Sequence, residues 1–315
     1  MRRSLTFLAC VAMALSTTFA VSGPASAHGK YPVSYNFLTS AAVAGTQMNA
    51  NAPGSNIWTC KPSKAHPRPV VLVHGLTGNK NTNWQTYAPL LANNGYCVFA
   101  LTYGVPAGTP PGLDQFGGRT KMETSAKQLA TFVTRVRKAT GAAKVDILGH
   151  SEGTVMPDYY AKFLGGARYI HSYVSLAPIW HGTALGSLGQ QRESDKAYGA
   201  PSAGLPGCGA CTELGTGSAF IKKLRKGGPA VSGIHYTNIV TKYDELVLPY
   251  TSGIQSGMTN ITVQDKCATD YSEHFEIVAD PVAAGYVLNA LDPAHPRPVP
   301  CEVVLPFEGP APAGR

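Results

Sequence analysis

One stretch narrows the fold of this chain more than any other: Lys144-Val145-Asp146-Ile147-Leu148-Gly149-His150-Ser151-Glu152-Gly153. A short apolar run enters Gly-x-Ser-x-Gly and leaves through helix-compatible residues. Such a passage puts the serine on a strained turn at the C-terminal end of a strand, with its hydroxyl facing a cleft. Gly149 and Gly153 suit that turn, because a side chain at either would meet the neighbouring strand or helix. The N–H of Glu152, at the helix start, points where an oxyanion would form. In a chain with 34 glycines the pentapeptide alone is weak, and an ordinary turn is the alternative. The flanking strand and helix are what single out Ser151 as the candidate nucleophile.

The rest of the chain supplies the sheet that this turn needs. Residues 69–73 are a continuous apolar run, as expected for a strand buried on both faces of a parallel sheet. His74-Gly75-Leu76-Thr77-Gly78-Asn79 ends it. Residues 84–94 have helical spacing, with Trp84, Tyr87, Leu90 and Leu91 on one face. Residues 96–101 give a second strand, 104–118 a loop rich in Gly and Pro, and 123–140 an amphipathic helix carrying Leu129, Phe132, Val133 and Val136. Beyond Ser151, residues 155–164 read as a helix that Pro157 should either bend or mark with a local irregularity. Residues 170–176 and 231–240 read as strands, the latter with its best run at 234–240. Residues 28–69 read as an irregular polar opening segment. Strands alternating with helices predict an α/β fold: a mostly parallel central sheet with helices on both faces and ligands at the C-terminal strand ends. Residues 178–230, dense in Gly, Ser and Pro, exceed an ordinary connection and read as a lid-like insertion or cap over a substrate pocket. The plain alternative is an insertion clamped by Cys208 and Cys211.

The start of the chain reads as an export signal. Arg2 and Arg3 precede an apolar run over 5–15, and Ala25-Ser26-Ala27 is a small-x-small cleavage site. The expectation is a signal peptide over 1–27 and a catalytic domain over 28–315, secreted and extracellular, with no integral membrane segment. Cys10 leaves with the signal. Six cysteines then remain: Cys60, Cys97, Cys208, Cys211, Cys267 and Cys301. An even number in an exported chain reads as three disulfides, and spacing leaves about 15 connectivities open. Cys208-Gly-Ala-Cys211 has no second Cys or His pair nearby, so a short local disulfide is preferred over a metal half-site. The formal net charge of +8 becomes +6 without the two leader arginines. Its basic residues are dispersed, and the densest group (Lys222, Lys223, Arg225, Lys226) reads as a solvated helix end, which argues against a nucleic-acid partner.

A serine hydroxyl needs a base and an orienting acid, which this fold class supplies in the order Ser, Asp or Glu, His. Asp244 falls at the end of the 231–240 strand; Glu245, adjacent to it, is the alternative acid. Asp265, Asp270 and Asp280 read as surface residues. Of the late histidines, His235 precedes the acid within a strand and His295 lies in an extended, Pro-flanked tail. His274, in the polar loop Asp270-Tyr271-Ser272-Glu273-His274, is the candidate base. The second oxyanion donor is expected at the N–H of Leu76, with Gly75 allowing close approach. His74 reads as ordering that loop and His150 as a packing or hydrogen-bonding residue. Leu76, Ile179, Trp180, Leu185, Leu188, Leu246 and Val247 are candidates for an acyl pocket, each with a core role as the alternative.

His74-Gly75-Leu76-Thr77-Gly78, Gly149-His150-Ser151-Glu152-Gly153-Thr154 with Met156-Pro157 and Tyr159-Tyr160, and Tyr243-Asp244-Glu245 resemble the secreted bacterial class 2 lipases of the α/β-hydrolase superfamily. Gly217-Ser218-Ala219-Phe220 and Asp244-Glu245 more distantly resemble the fungal lipase B type. The likeness covers roughly residues 35–301. It implies hydrolysis of triacylglycerols or other esters by Ser151, Asp244 and His274 in a monomer, without cofactor or metal, on substrate that can sit at a lipid–water interface. It also implies the pairs Cys60 with Cys97, Cys208 with Cys211, and Cys267 with Cys301. Thr154 stands where many lipases carry a second glycine, narrowing the space beside the turn. Glu152 replaces the usual Gln or Met, and its charge would raise the pKa of a nearby His274. Rival readings are a short-chain esterase or polyesterase, an acyltransferase acting on cell-envelope glycolipids, and an inactive hydrolase-fold binding protein. The complete Ser, Asp and His set argues against the last.

Overall fold

Valine and leucine fill the central strands because both faces of the sheet are covered. The computed structural model describes residues 31–184 and 208–311. Six strands, β1 (Val70–Val73), β2 (Val98–Leu101), β3 (Val145–His150), β4 (Ile170–Leu176), β5 (His235–Val240) and β6 (Thr259–Thr262), form one sheet in the order β2-β1-β3-β4-β5-β6. Every neighbouring pair is parallel. All residues of β1, β2 and β3 are buried. Alternate residues serve opposite cores, so the strands read as unbroken apolar runs. Val71, Val73, Ile147 and Tyr173 pack on one face with Leu129, Val133 and Val136; Val70, Leu72, Leu148 and Val174 pack on the other with Tyr87, Leu91 and Val287.

The helices are α1 (Phe37–Gly45), α2 (Tyr87–Asn93), α3 (Met122–Thr140), α4 (Met156–Phe163), α5 (Ala219–Arg225), α6 (Val263–Lys266) and α7 (Pro281–Leu291). Helix α1 corrects the expectation that residues 28–69 are irregular. Asn36 caps it, its Oδ1 accepting the Thr39 N–H at 2.8 Å. Tertiary bonds hold both its ends, from the Phe37 N–H to Glu276 and from Asn81 Nδ2 to the Ala44 carbonyl. Pro157 does not bend α4, because it falls in the first turn, where the missing N–H has no partner to lose. The lysine group around Lys223 lies in the last turn of α5, as a solvated helix end requires.

Three disulfides close as the family resemblance implied: Cys60–Cys97, Cys208–Cys211 and Cys267–Cys301. Of the insertion read over 178–230, the described parts are joined to each other by the bridge between Thr183 and Gly215 and tied to the body by the His181 N–H on the Ser252 carbonyl. Leu185 and Leu188 lie outside the described residues, as do residues 1–27, which the sequence reads as an export signal. Among the described residues no helix is long and apolar enough to cross a membrane.

Candidate active site

Strand β3 ends at His150, and Ser151 follows with φ of +54°, a left-handed conformation that a serine adopts only under constraint. The constraint is close packing of the turn. A Cβ on Gly149 would lie 2.0 Å from the Gly153 carbonyl oxygen, and one on Gly153 2.0 Å from that of Val73. Thr154 locks the turn from the other side: its hydroxyl donates to the Ser151 carbonyl at 2.6 Å and accepts the Ile179 N–H. The threonine read as a departure from the usual glycine thus fastens the serine to the segment after β4.

The loops after β5 and β6 bring the other two candidates to this turn. His274 Nε2 lies 3.0 Å from Ser151 Oγ, and His274 Nδ1 lies 2.9 and 3.0 Å from the two carboxylate oxygens of Asp244. Because a carboxylate only accepts, Nδ1 carries the proton and Nε2 presents a lone pair to the serine hydroxyl. The N–H groups of Leu246 and Val247 donate to Asp244 Oδ1 at 3.0 and 2.7 Å, fixing the carboxylate. Glu245 does something else. Its Oε2 accepts the backbone N–H of His274 at 3.1 Å, holding the main chain rather than the ring.

The loop after β1 passes beside the serine. His74 is buried, its Nδ1–H on the Gly75 carbonyl and its Nε2 accepting the Tyr103 N–H, with the two rings stacked 4.2 Å apart. Burial pushes its pKa down to about 4, so it is a neutral fixture of the loop, the ordering role read from sequence. Among the described residues, neither the Leu76 nor the Glu152 N–H meets an acceptor. His150 joins the parts: Nε2 donates to the His274 carbonyl at 3.0 Å, and Nδ1 faces Asn83 Oδ1 at 3.2 Å. That same amide oxygen accepts the Gly75 N–H at 3.1 Å. Burial, reinforced by His274, pushes the His150 pKa far below its ordinary value and keeps it uncharged. Asn83 was not singled out from sequence; its one signal is the asparagine-rich run Asn79-Lys80-Asn81-Thr82-Asn83 after the first strand.

A serine–imidazole–carboxylate chain at the C-terminal edge of a parallel sheet is the arrangement expected of an α/β-hydrolase. The family model described as lipase (class 2) matches residues 67–287. The chain belongs to the class 2 lipase family. Lipase B of Aspergillus fumigatus superposes with a TM-score of 0.61 at 21% identity, over 79% of this chain and 57% of that one. Lipase BlEst2 of Bacillus licheniformis, in its mature form, gives 0.56 at 17% identity over 76% and 96%. The chain therefore spans little more than half of the fungal lipase and nearly all of the bacterial one. The fold is that of the α/β-hydrolases, and this class 2 lipase is an ester hydrolase.

Within this lipase, Glu152 departs from expectation. Its side chain is fully buried beside Tyr103 and Gly118, and neither carboxyl oxygen has a hydrogen-bond partner among the described residues. Burial, with Glu213 adding to it and Tyr103 opposing, pushes its pKa well above the carboxylate range. A carboxyl held toward its neutral form does not supply the charge expected to act on His274. The acyl-pocket candidates divide. Ile179, Trp180 and Val247 lie in the core, with Trp180 Nε1 donating to Asn238 Oδ1 at 2.8 Å. Leu76 and Leu246 are half-buried, one on the loop after β1 and the other bonded to Asp244.

Proposed function

We propose that this lipase is a secreted, monomeric enzyme that cleaves acylglycerol esters through an acyl-enzyme on Ser151. The observation that carries the reading is the hydrogen-bonded chain Ser151–His274–Asp244. Ser151 Oγ attacks the ester carbonyl carbon while its proton passes to His274 Nε2. Asp244 holds the Nδ1–H tautomer and stabilises the imidazolium that forms. The negative charge on the tetrahedral oxygen rests on the N–H groups of Leu76 and Glu152. The imidazolium then protonates the leaving alcohol oxygen as the C–O bond breaks. Water attacks the acyl-enzyme, gives its proton to His274, and releases the carboxylic acid and Ser151. No metal or cofactor enters this sequence of steps.

Leu76 and Leu246 flank the acyl chain in this reading. Export rests on the leader over 1–27, and the three disulfides and the lack of a membrane-crossing helix among the described residues are in keeping with it. The test is hydrolysis of p-nitrophenyl esters from acetyl to palmitoyl by the wild type and Ser151→Ala. Loss of turnover in the variant with preference for long chains supports the lipase. Preference for acetyl and butyryl gives a short-chain esterase, and equal turnover by the variant removes Ser151 from the chemistry.

A further inference from the structure

A groove passes the C-terminal end of the edge strand β2, away from Ser151, Asp244 and His274. One end is a polar cavity of about 370 Å³ that includes Lys80, Asp114, Trp58 and Arg135 in its wall. The adjoining cavity, of about 310 Å³, shares Leu101, Thr102, Phe132 and Arg135 with it and adds Tyr103 and Val105. The groove therefore runs from a polar end to a more apolar one, in the size range of small-molecule sites, ~300–1,000 Å³.

Two cations line the polar end, neither with an ion-pair partner among the described residues. The Lys80 backbone N–H is fixed on Thr102 Oγ1 at 3.1 Å, yet among the described residues its ammonium meets no acceptor. Lys80 is half-buried, and burial pushes its pKa down, a penalty that a bound anion would relieve. The Arg135 guanidinium carbon lies 3.8 Å from the Trp58 ring centroid, and its N–H fork has no ion-pair partner among the described residues. Asp114 shares the cavity, but its Oδ1 is taken by the Gly112 N–H and Gln115 Nε2, and neither cation pairs with it. The cavity keeps a net positive charge and an excess of donors, next to an apolar channel.

We propose that this groove binds a single-chain anionic amphiphile, its head on Lys80 and Arg135 and its chain along Phe132 and Val105. An uncharged ester leaves both cations unpaired, and a sugar leaves the apolar end empty. Two sources share the chemistry: a fatty acid, which ester hydrolysis releases, and a phosphate monoester of a single-chain lipid.

Calorimetric titration of the full protein with octanoate, octyl phosphate and octanol tests the site. Saturable binding of either anion is expected, weakened at least tenfold by Lys80→Gln and by Arg135→Gln, with octanol weaker than both. The tighter anion assigns the source. Octanol binding as tightly as the anions, no saturable binding of either anion, or anion affinity unchanged in both variants overturns the proposal, the last by moving the ligand to the acyl pocket. If Arg135→Gln fails to fold because Trp58 loses its cover, Lys80→Gln alone decides.

Discussion

His150 Nε2 donates to the backbone carbonyl of His274 at 3.0 Å, across 124 positions of sequence, so the residue before the candidate nucleophile holds the main chain of the candidate base. Through Asn83 it also faces the oxygen that anchors the Gly75 N–H. One buried neutral imidazole thus ties the end of β3 to the loop that carries His274. His150→Leu leaves the His274 carbonyl unsatisfied, a loss of about 1–3 kcal/mol. Felt in the transition state, that lowers kcat roughly 5- to 150-fold with little change in KM. His150→Gln, which can still donate to the carbonyl, should recover part of the loss. A raised KM with unchanged kcat would show that the contact serves substrate binding instead.

The two adjacent acids separate cleanly by what they touch. Asp244 presents both oxygens to His274 Nδ1, whereas Glu245 touches only the His274 backbone. Asp244→Asn should lower kcat about 10⁴-fold, because the amide favours the wrong imidazole tautomer. Glu245→Gln keeps an oxygen for the backbone N–H and should lose less than about tenfold, one hydrogen bond being worth ~1 kcal/mol. Steady-state kinetics of the pair on one ester settles the assignment; the reverse order would make Glu245 the acid.

The sheet was legible because a strand covered on both faces writes itself as an unbroken apolar run, as in Val70–Val73. Ser151, Asp244 and His274 were legible because each follows a strand in the order this topology demands. Helix α1 was not, since Phe37–Gly45 carries no strong amphipathic period and is held by Glu276 and Asn81, distant in sequence. Pro157 marks an irregularity rather than a bend for a local reason: the Ser151 turn takes up residues 151–154, so the proline lands at a helix start rather than inside one. Asn83 and the backbone grip of Glu245 stayed hidden because both act across long sequence separations, where no periodicity reports a contact.

The tight packing of the Ser151 turn on β1 carries its own prediction. A methyl group on Gly153 would sit 2.0 Å from the Val73 carbonyl oxygen, a backbone atom that moves only if β1 moves. Gly153→Ala should therefore separate the turn from β1, destabilising by at least the ~1–3 kcal/mol typical of overpacking and displacing Ser151 from His274. Thermal unfolding and ester turnover measure both effects. Wild-type Tm and kcat in the variant would mean that the turn yields without disturbing the strand.

Stability should have an alkaline limb set by buried carboxyls. Glu276 is fully buried, with one oxygen accepting the Phe37 N–H and the other without a partner among the described residues, and burial pushes its pKa up to about 8. Beside it, burial also raises Glu273 to about 7, and the Glu245 charge adds to this. An unfolded glutamate titrates near 4.3, so between about pH 4.3 and 8 the folded chain holds protons that the unfolded chain has released. Stability therefore falls as pH rises through that window. Buried His74 acts with the opposite sign: its pKa of about 4 lies below the unfolded value near 6.5, so stability is lost as pH falls from about 6.5 to 4. Glu276→Gln keeps an acceptor for Phe37 and removes the ionisation. The variant should melt above wild type at pH 9, and the gap should vanish toward pH 4. A variant that melts lower at pH 9 would show that the ionised carboxylate is stabilised in place and that the alkaline limb has another origin.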